Sequence, residues 1–167
     1  MTGATRTMIS FVVGPSKFNY RVAAVALREG HVLTCREDDD DYVMLPGGRV
    51  EMGEATTVAL AREIAEELHT TADIRRLLFI AENFFVHQGV SVHEIGTYYL
   101  IDLPSDFPFR REEVCFETED EGHRLTFEWV PVEGDGLRRI NLLPPWLDEK
   151  LRALPGAPEH LILRETR

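Results

Sequence analysis

Residues 46–68, from Pro46 to Leu68, read PGGRVEMGEATTVALAREIAEEL. Proline followed by two glycines is a turn signal, and it stands ahead of a stretch that the spacing predicts as a helix from about Ala55 to Leu68. Wound at 100° per residue with Glu63 at zero, Glu67 falls near 40° and Glu66 near 300°. Three acids therefore share one sector. Ile64, Leu68, Ala61, Ala65 and Val58 fill the sector between about 100° and 220°, which is the face expected to bury. Like charges at i,i+4, as Glu63 and Glu67 are, destabilise an isolated helix by roughly 0.2–0.5 kcal/mol per pair. Arg62 is the only base nearby. Hard oxygen donors that repel one another are what a Mg²⁺ or Mn²⁺ site needs.

The stretch resembles the Nudix box, whose pattern is G-x5-E-x7-R-E-U-x-E-E-x-G-U with U a bulky aliphatic residue. Gly48, Glu54, Arg62, Glu63, Ile64, Glu66 and Glu67 all stand at the required spacing. Two positions depart: His69 stands where the family has glycine, and Thr70 where it has an aliphatic residue. That glycine sits just past the helix end, where a left-handed residue is usual. Histidine is expected to adopt that conformation at a cost near ~1 kcal/mol relative to glycine. The resemblance implies an α/β fold, a Nudix-type α/β/α sandwich with a mixed central β-sheet.

The 167 residues are enough for one domain, 1–167, with a core that needs no disulfide. A hydrophobic content of 44% and a charged content of 28% are ordinary for a globular chain. The net charge of −11 argues against a stable nucleic-acid partner, because a phosphate backbone would be repelled. No long basic stripe occurs; Arg75-Arg76, Arg110-Arg111 and Arg138-Arg139 are isolated pairs. Cys35 and Cys115 are the two cysteines, in no metal-ligand spacing, and read as buried reduced thiols. The first residues lack a signal-peptide layout and no run of 18 apolar residues exists, so a cytoplasmic protein without a membrane partner is expected. A homodimer is left open.

Strand-like segments occur at Ile9–Val13, Tyr20–Leu27 and Val32–Arg36, followed by an acidic loop, Asp38 to Asp41, that reads as a solvated turn. Tyr42–Leu45 is a short apolar lead into Pro46. Beyond the helix, Ile74–His87 and Ser91–Leu103 read as two long strands joined at Gln88-Gly89. His87 and His93 flank that turn and can face each other across it, though two ligands do not make a zinc site. Arg124–Val132 alternates into a further strand. Pro144 and Pro145 open a helix expected from about Trp146 to Leu154, and His160–Leu163 reads as a last short strand. Strands on both sides of a central helix suggest a mixed sheet between helices.

Phosphoanhydride hydrolysis needs a cation, a positioned water and a carboxylate to take its proton. The resemblance implies a Mg²⁺ ion, with Mn²⁺ as substitute, on Glu63, Glu66 and Glu67, with the backbone carbonyl of Gly47 completing the shell. It implies that Glu54 and Arg62 brace the loop and orient the glutamates. A further glutamate from outside the box is expected as ligand or general base. Glu117, Glu119 and Glu121 crowd the segment where it lies, and Glu121 is favoured as the acid closest to the following strand. Arg36 matches a position that contacts substrate phosphate, and Asn141 one that reads a base. Phe84, Phe85 and Tyr99 can stack on a base, although aromatic residues in strands are more often core.

The reaction implied is hydrolysis of a small nucleotide at a phosphoanhydride bond. The substrate is a nucleoside diphosphate linked to a group X, such as ADP-ribose or a nucleotide sugar, or a (deoxy)nucleoside triphosphate. Relatives specific for ADP-ribose tend to carry a proline downstream of the box, where Phe85 and Val86 stand here; diadenosine-polyphosphate relatives often have tyrosine. The SQPWPFPxS-like array of NADH-cleaving relatives is also missing. The alternative function is a catalytically inactive Nudix-fold sensor that binds a nucleotide without turnover. Such relatives usually lose one of the glutamates, and none is lost here.

Overall fold

The computed structural model describes residues 6–165. In chain order the elements are β1 (Ser10–Val13), β2 (Ser16–Arg28), β3 (His31–Glu37), β4 (Gly47–Arg49), α1 (Thr56–Leu68), β5 (Asp73–His87) and β6 (Val90–Asp102). β7 (Val114–Asp120), β8 (His123–Pro131), α2 (Gly136–Arg139), α3 (Leu147–Lys150) and β9 (Glu159–Arg164) follow. The strands form a mixed sheet in the order β7-β8-β3-β2-β6-β5-β9, parallel at β2/β6 and β5/β9 and antiparallel elsewhere.

β2 is the organising strand. Its residues alternate between two apolar faces, as the pleat requires. Val22, Ala24 and Ala26 pack with Leu60, Ile64 and Leu68 of α1, and with Phe127 and Trp129. Val25 packs on the opposite face with Phe79, Tyr98, Leu137 and Leu147. The sheet therefore lies between α1 and the short helices α2 and α3, the three-layer α/β/α arrangement expected. Full burial of side chains such as Ile64 and Leu68 stabilises by about 1.5–3 kcal/mol each.

β2 and β3 pair only at Leu27↔Val32 and Arg28↔His31. Away from that corner the edge of β2 is free to take β4, through Arg21↔Arg49, Val22↔Gly48 and Ala23↔Gly47. The glycines of the PGG turn are thus pulled into the sheet, beside the acidic helix. Sequence patterning alone left this segment as a turn, because glycine has little strand propensity.

Four expectations need correction. The buried face of α1 is Ala59, Leu60, Glu63, Ile64, Glu67 and Leu68, whereas Val58 is 58% exposed and Ala61 and Ala65 are exposed. The helix is rolled so that Glu63 and Glu67 turn inward with the apolar residues. Glu117 and Glu119, expected as acids of a loop outside the box, lie instead on β7, which pairs with β8 from Val114↔Glu128 to Asp120↔His123. The C-terminal helix is four residues long, not nine. Its bonding shifts from Leu151 N–H donating to Leu147 O at 2.9 Å to Arg152 N–H donating to Glu149 O at 3.2 Å, a tighter turn that ends it before Pro155. His87 and His93 do not face each other: His87 lies opposite Val90 and contacts Tyr42, while His93 lies opposite Phe84 and stacks on it at 4.4 Å. Cys35 and Cys115 are free thiols, half-buried and buried.

Candidate active site

The site forms where α1 crosses β4. Gly48 is needed there because a Cβ would stand 2.4 Å from Glu63 Cδ, and Gly47 because one would stand 2.1 Å from Val22 O. Gly47 has φ +150°, a conformation that glycine reaches most easily. The two small residues let a carboxylate-bearing helix lie directly on a strand.

Arg62 ties the box together. Its Nε donates to Glu54 Oε1 at 2.9 Å, and its Nη1 to Glu63 Oε1 at 2.7 Å and Glu66 Oε2 at 3.3 Å. Its Nη2 donates to Glu54 Oε2 at 3.0 Å and Arg49 O at 3.1 Å. Glu54 also accepts the Glu51 backbone N–H at 3.0 Å. The Arg62 guanidinium holds the Glu54 carboxyl below its usual range and is itself pushed upward by its carboxylate partners. Charge-assisted, forked bonds of this kind fix a carboxylate's direction.

Glu63 and Glu67 are each 7% exposed. Burial raises both, and Glu67, which also faces Glu63, is pushed up to about 8. Among the described residues the Glu67 carboxylate has one hydrogen bond, from Gly47 N–H at 3.3 Å, and no ion pair. The Glu67 carboxylate, a buried hard oxygen donor with no cation bonded to it among the described residues, is a group that a divalent cation fits. Glu66 is more exposed and is bonded by Arg6 as well as by Arg62. The one trio of metal-type side chains with all ligand atoms within 4.8 Å, among the described residues, is Glu37, Asp38 and His123. It is half-buried to exposed and pins the acidic loop: His123 Nδ1 lies 2.8 Å from Asp38 Oδ2, and Arg124 N–H donates to Asp38 Oδ1 at 2.9 Å.

The structure brings Glu54, Arg62, Glu63, Glu66, Glu67 and Gly47 together. It places Glu121 at φ +48° in the exposed two-residue turn between β7 and β8, with Glu117 and Glu119 exposed as well. Asp120, one residue earlier, is the β7 acid that acts on Glu67. Arg36 donates to the carbonyls of Asp40 and Tyr42, the latter at 3.1 Å, so it braces its own loop. Asn141 Nδ2 donates to Asp41 O at 3.3 Å and serves the same loop.

Arg21 was missed by sequence reading. Its charge lowers both Glu63 and Glu67, yet it makes no side-chain hydrogen bond or ion pair among the described residues. Only the β2/β4 pairing, Arg21↔Arg49, brings it there, and no motif marks that position.

His69 adopts φ 52° and ψ 34°, the left-handed conformation expected after the helix. Its Nε2 lies 3.2 Å from Thr118 Oγ1, and its ring meets Phe116 edge-on at 5.7 Å. The residue that departs from the box pattern therefore fastens the end of α1 to β7.

Residues 17–139 match the model of the NUDIX domain. The fold is similar to a MutT protein from Bacillus halodurans, with a TM-score of 0.58 and 15% identity over 89% of this chain and 90% of that one. It is also similar to an ADP-ribose pyrophosphatase from Streptococcus suis, with a TM-score of 0.52 and 14% identity over 86% and 98% of the two chains. The E. coli ORF135 protein gives a TM-score of 0.52 and 24% identity over 86% and 96%. At these identities the likeness is one of fold. No curated protein matches the chain.

Proposed function

Because the chain belongs to the NUDIX domain family, we propose that it is a divalent-metal-dependent pyrophosphohydrolase of a small nucleotide. Its substrate is a nucleoside diphosphate linked to a second group, or a nucleoside triphosphate. The observation that carries this reading is the pair Glu63 and Glu67, buried against glycines, with Glu67 bonded, among the described residues, by Gly47 N–H alone.

Glu63, Glu66 and Glu67 would hold Mg²⁺ or Mn²⁺, with the Gly47 backbone beside them. When bound, the ion supplies charge neutralisation at the phosphoanhydride and Lewis acidity toward the oxygen that attacks phosphorus. Arg62 and Glu54 position the glutamates. Arg21 offers to the substrate's phosphates, which carry the matching charge, a guanidinium that makes no side-chain hydrogen bond or ion pair among the described residues. Asp120 is the acid outside the box best placed to assist Glu67, in place of the Glu121 expected from sequence. The overall reaction adds one water across a P–O–P bond and yields a nucleoside monophosphate plus phospho-X, or plus pyrophosphate from a triphosphate.

The test is release of phosphate and pyrophosphate from a nucleotide panel with Mg²⁺ or Mn²⁺, comparing the wild type with Glu67→Gln. Hydrolysis of one substrate class with a loss of roughly a hundredfold or more in the variant is expected. Tight nucleotide binding with no turnover by the wild type would sink the proposal in favour of a sensor.

A further inference from the structure

α1 covers one end of its face of the sheet. It packs on β2, β4 and β7, and Val22 of β2 joins its Leu60, Ile64 and Leu68 in one core. Four residues earlier on the same face, Phe18 belongs to a row that crosses five strands. Phe11 of β1 is the register partner of Phe18, and Phe18 that of His93 of β6. His93 pairs in turn with Phe84 of β5, and Phe84 with Arg164 of β9. Alternate residues of a strand share a face, so the adjoining rows are fixed as well. One holds Ile95, Glu82 and Ile162. On the other side of the aromatic row, Val13, Ser16, Ser91 and Val86 lie in line.

The rings of the central row pack on one another. Phe11 stacks on Phe18 at 5.2 Å, Phe18 meets His93 edge-on at 5.3 Å, and His93 stacks on Phe84 at 4.4 Å. The Arg164 guanidinium closes the row, 4.1 Å from the centre of the Phe84 ring. Apolar surface around them stays open to water: Val13 is 67% exposed, Ile162 61%, Phe11 52% and Val86 42%. Ile80, two residues before Glu82, is exposed too. Singly such residues are ordinary, but gathered on one sheet face they mark an interaction surface.

Shape, size and charge select the occupant. A sheet face packs well on another sheet face, with side chains interdigitating about 10 Å apart, and the chain supplies such a face itself. Five strands about 4.8 Å apart and four rows about 6.7 Å apart give a footprint of roughly 20 Å by 20 Å. Upright side chains raise the accessible area above that footprint, toward the roughly 600–800 Å² per partner that a specific interface buries. The chain carries a net charge of −11, so much of its surface repels a second copy. This face does not: its acid, Glu82, has His160 Nε2 at 2.8 Å from Oε1, and Arg164 adds a positive charge.

We propose that the face formed by β1, β2, β6, β5 and β9 is a two-fold interface with a second copy of the chain. Closed pairing of this kind uses the same patch twice. His93 and Ile95 of the middle strand stand at its centre, with Phe11 and Ile162 toward its two sides. The acidic site stays clear of the partner, because the Val22↔Gly48 pair lies four residues, about 13 Å, along β2 from Phe18.

The test is the oligomeric state of the full chain by sedimentation velocity, from about 1 to 200 µM protein. Expected is a concentration-dependent dimer that persists in about 0.5 M NaCl, where repulsion between the two anionic copies is screened. Val13→Lys and Ile162→Lys, toward opposite sides of the face, should each raise the dimer dissociation constant at least about tenfold, since an unpaired ammonium resists burial. Both side chains are exposed in the single chain, so an unchanged circular dichroism spectrum is expected alongside. Lysine also reduces the net negative charge, so general repulsion cannot account for the loss. Val114→Lys, on β7 at the far edge of the sheet, should leave the dimer intact. A monomer throughout the range, or a dimer that both Val13→Lys and Ile162→Lys leave unchanged, would overturn the proposal. So would a monomer that floats with phosphatidylcholine vesicles, which would assign the face to a lipid surface instead.

Discussion

Gly48 and Glu63 approach so closely that a single methyl group on Gly48 would overlap the Glu63 carboxylate, at 2.4 Å from its Cδ and 2.4 Å from Oε1. Gly48→Ala should therefore displace Glu63 without disrupting the fold, since the atom that must yield is the free end of a side chain. Expected is a roughly 10- to 100-fold weaker Mg²⁺ dependence of activity, the range found when a ligand's support is lost. A Mg²⁺ titration of activity checks it, alongside an unchanged circular dichroism spectrum.

Arg62→Lys keeps the charge but removes the fork that reaches Glu54, Glu63 and the Arg49 carbonyl together. Activity should fall about 10- to 100-fold and should not recover at saturating Mg²⁺. Full recovery would mean that Arg62 serves only as a counter-charge.

Glu67 sets a pH dependence whose sign follows from burial. Its ordinary value of 4.5 is pushed up to about 8. Between those limits the folded protein keeps a proton that the unfolded chain has released. The stabilisation is fully present below the unfolded value and is lost as pH rises through about 8. In EDTA, the Tm of the wild type relative to Glu67→Gln should fall between pH 5 and pH 9, and millimolar Mg²⁺ should flatten that slope. A difference that rises with pH would contradict this assignment.

His69→Ala should cost about 1 kcal/mol or slightly more, because alanine has no ready access to the left-handed conformation and the contacts with Thr118 and Phe116 go too. His69→Gly relieves the backbone and loses the same contacts, so it should be closer to neutral. Urea unfolding of the two variants separates the terms.

Much of this was legible in the chain. The box spacing located the helix within a residue of its start, and the Gln88-Gly89 turn placed the longest hairpin. The roll of α1 was not, because a hydropathy pattern assigns glutamates outward and cannot know that two glycines leave room for them inside. Nor was β7, whose Glu-Thr-Glu-Asp run has weak strand propensity and is held by its pairing with β8. Nor was Arg21, which only the pairing of β2 with β4 brings to the glutamates.

The His69–Thr118 contact has a mechanical consequence. Thr118 lies two residues before Asp120 on the same face of β7, so the pin at the end of α1 also anchors the strand that delivers Asp120 toward Glu67. Two acids from separate parts of the chain thereby share one rigid mount. Where the box pattern has glycine, histidine here joins the end of the metal-site helix to a strand on the far edge of the chain's sheet.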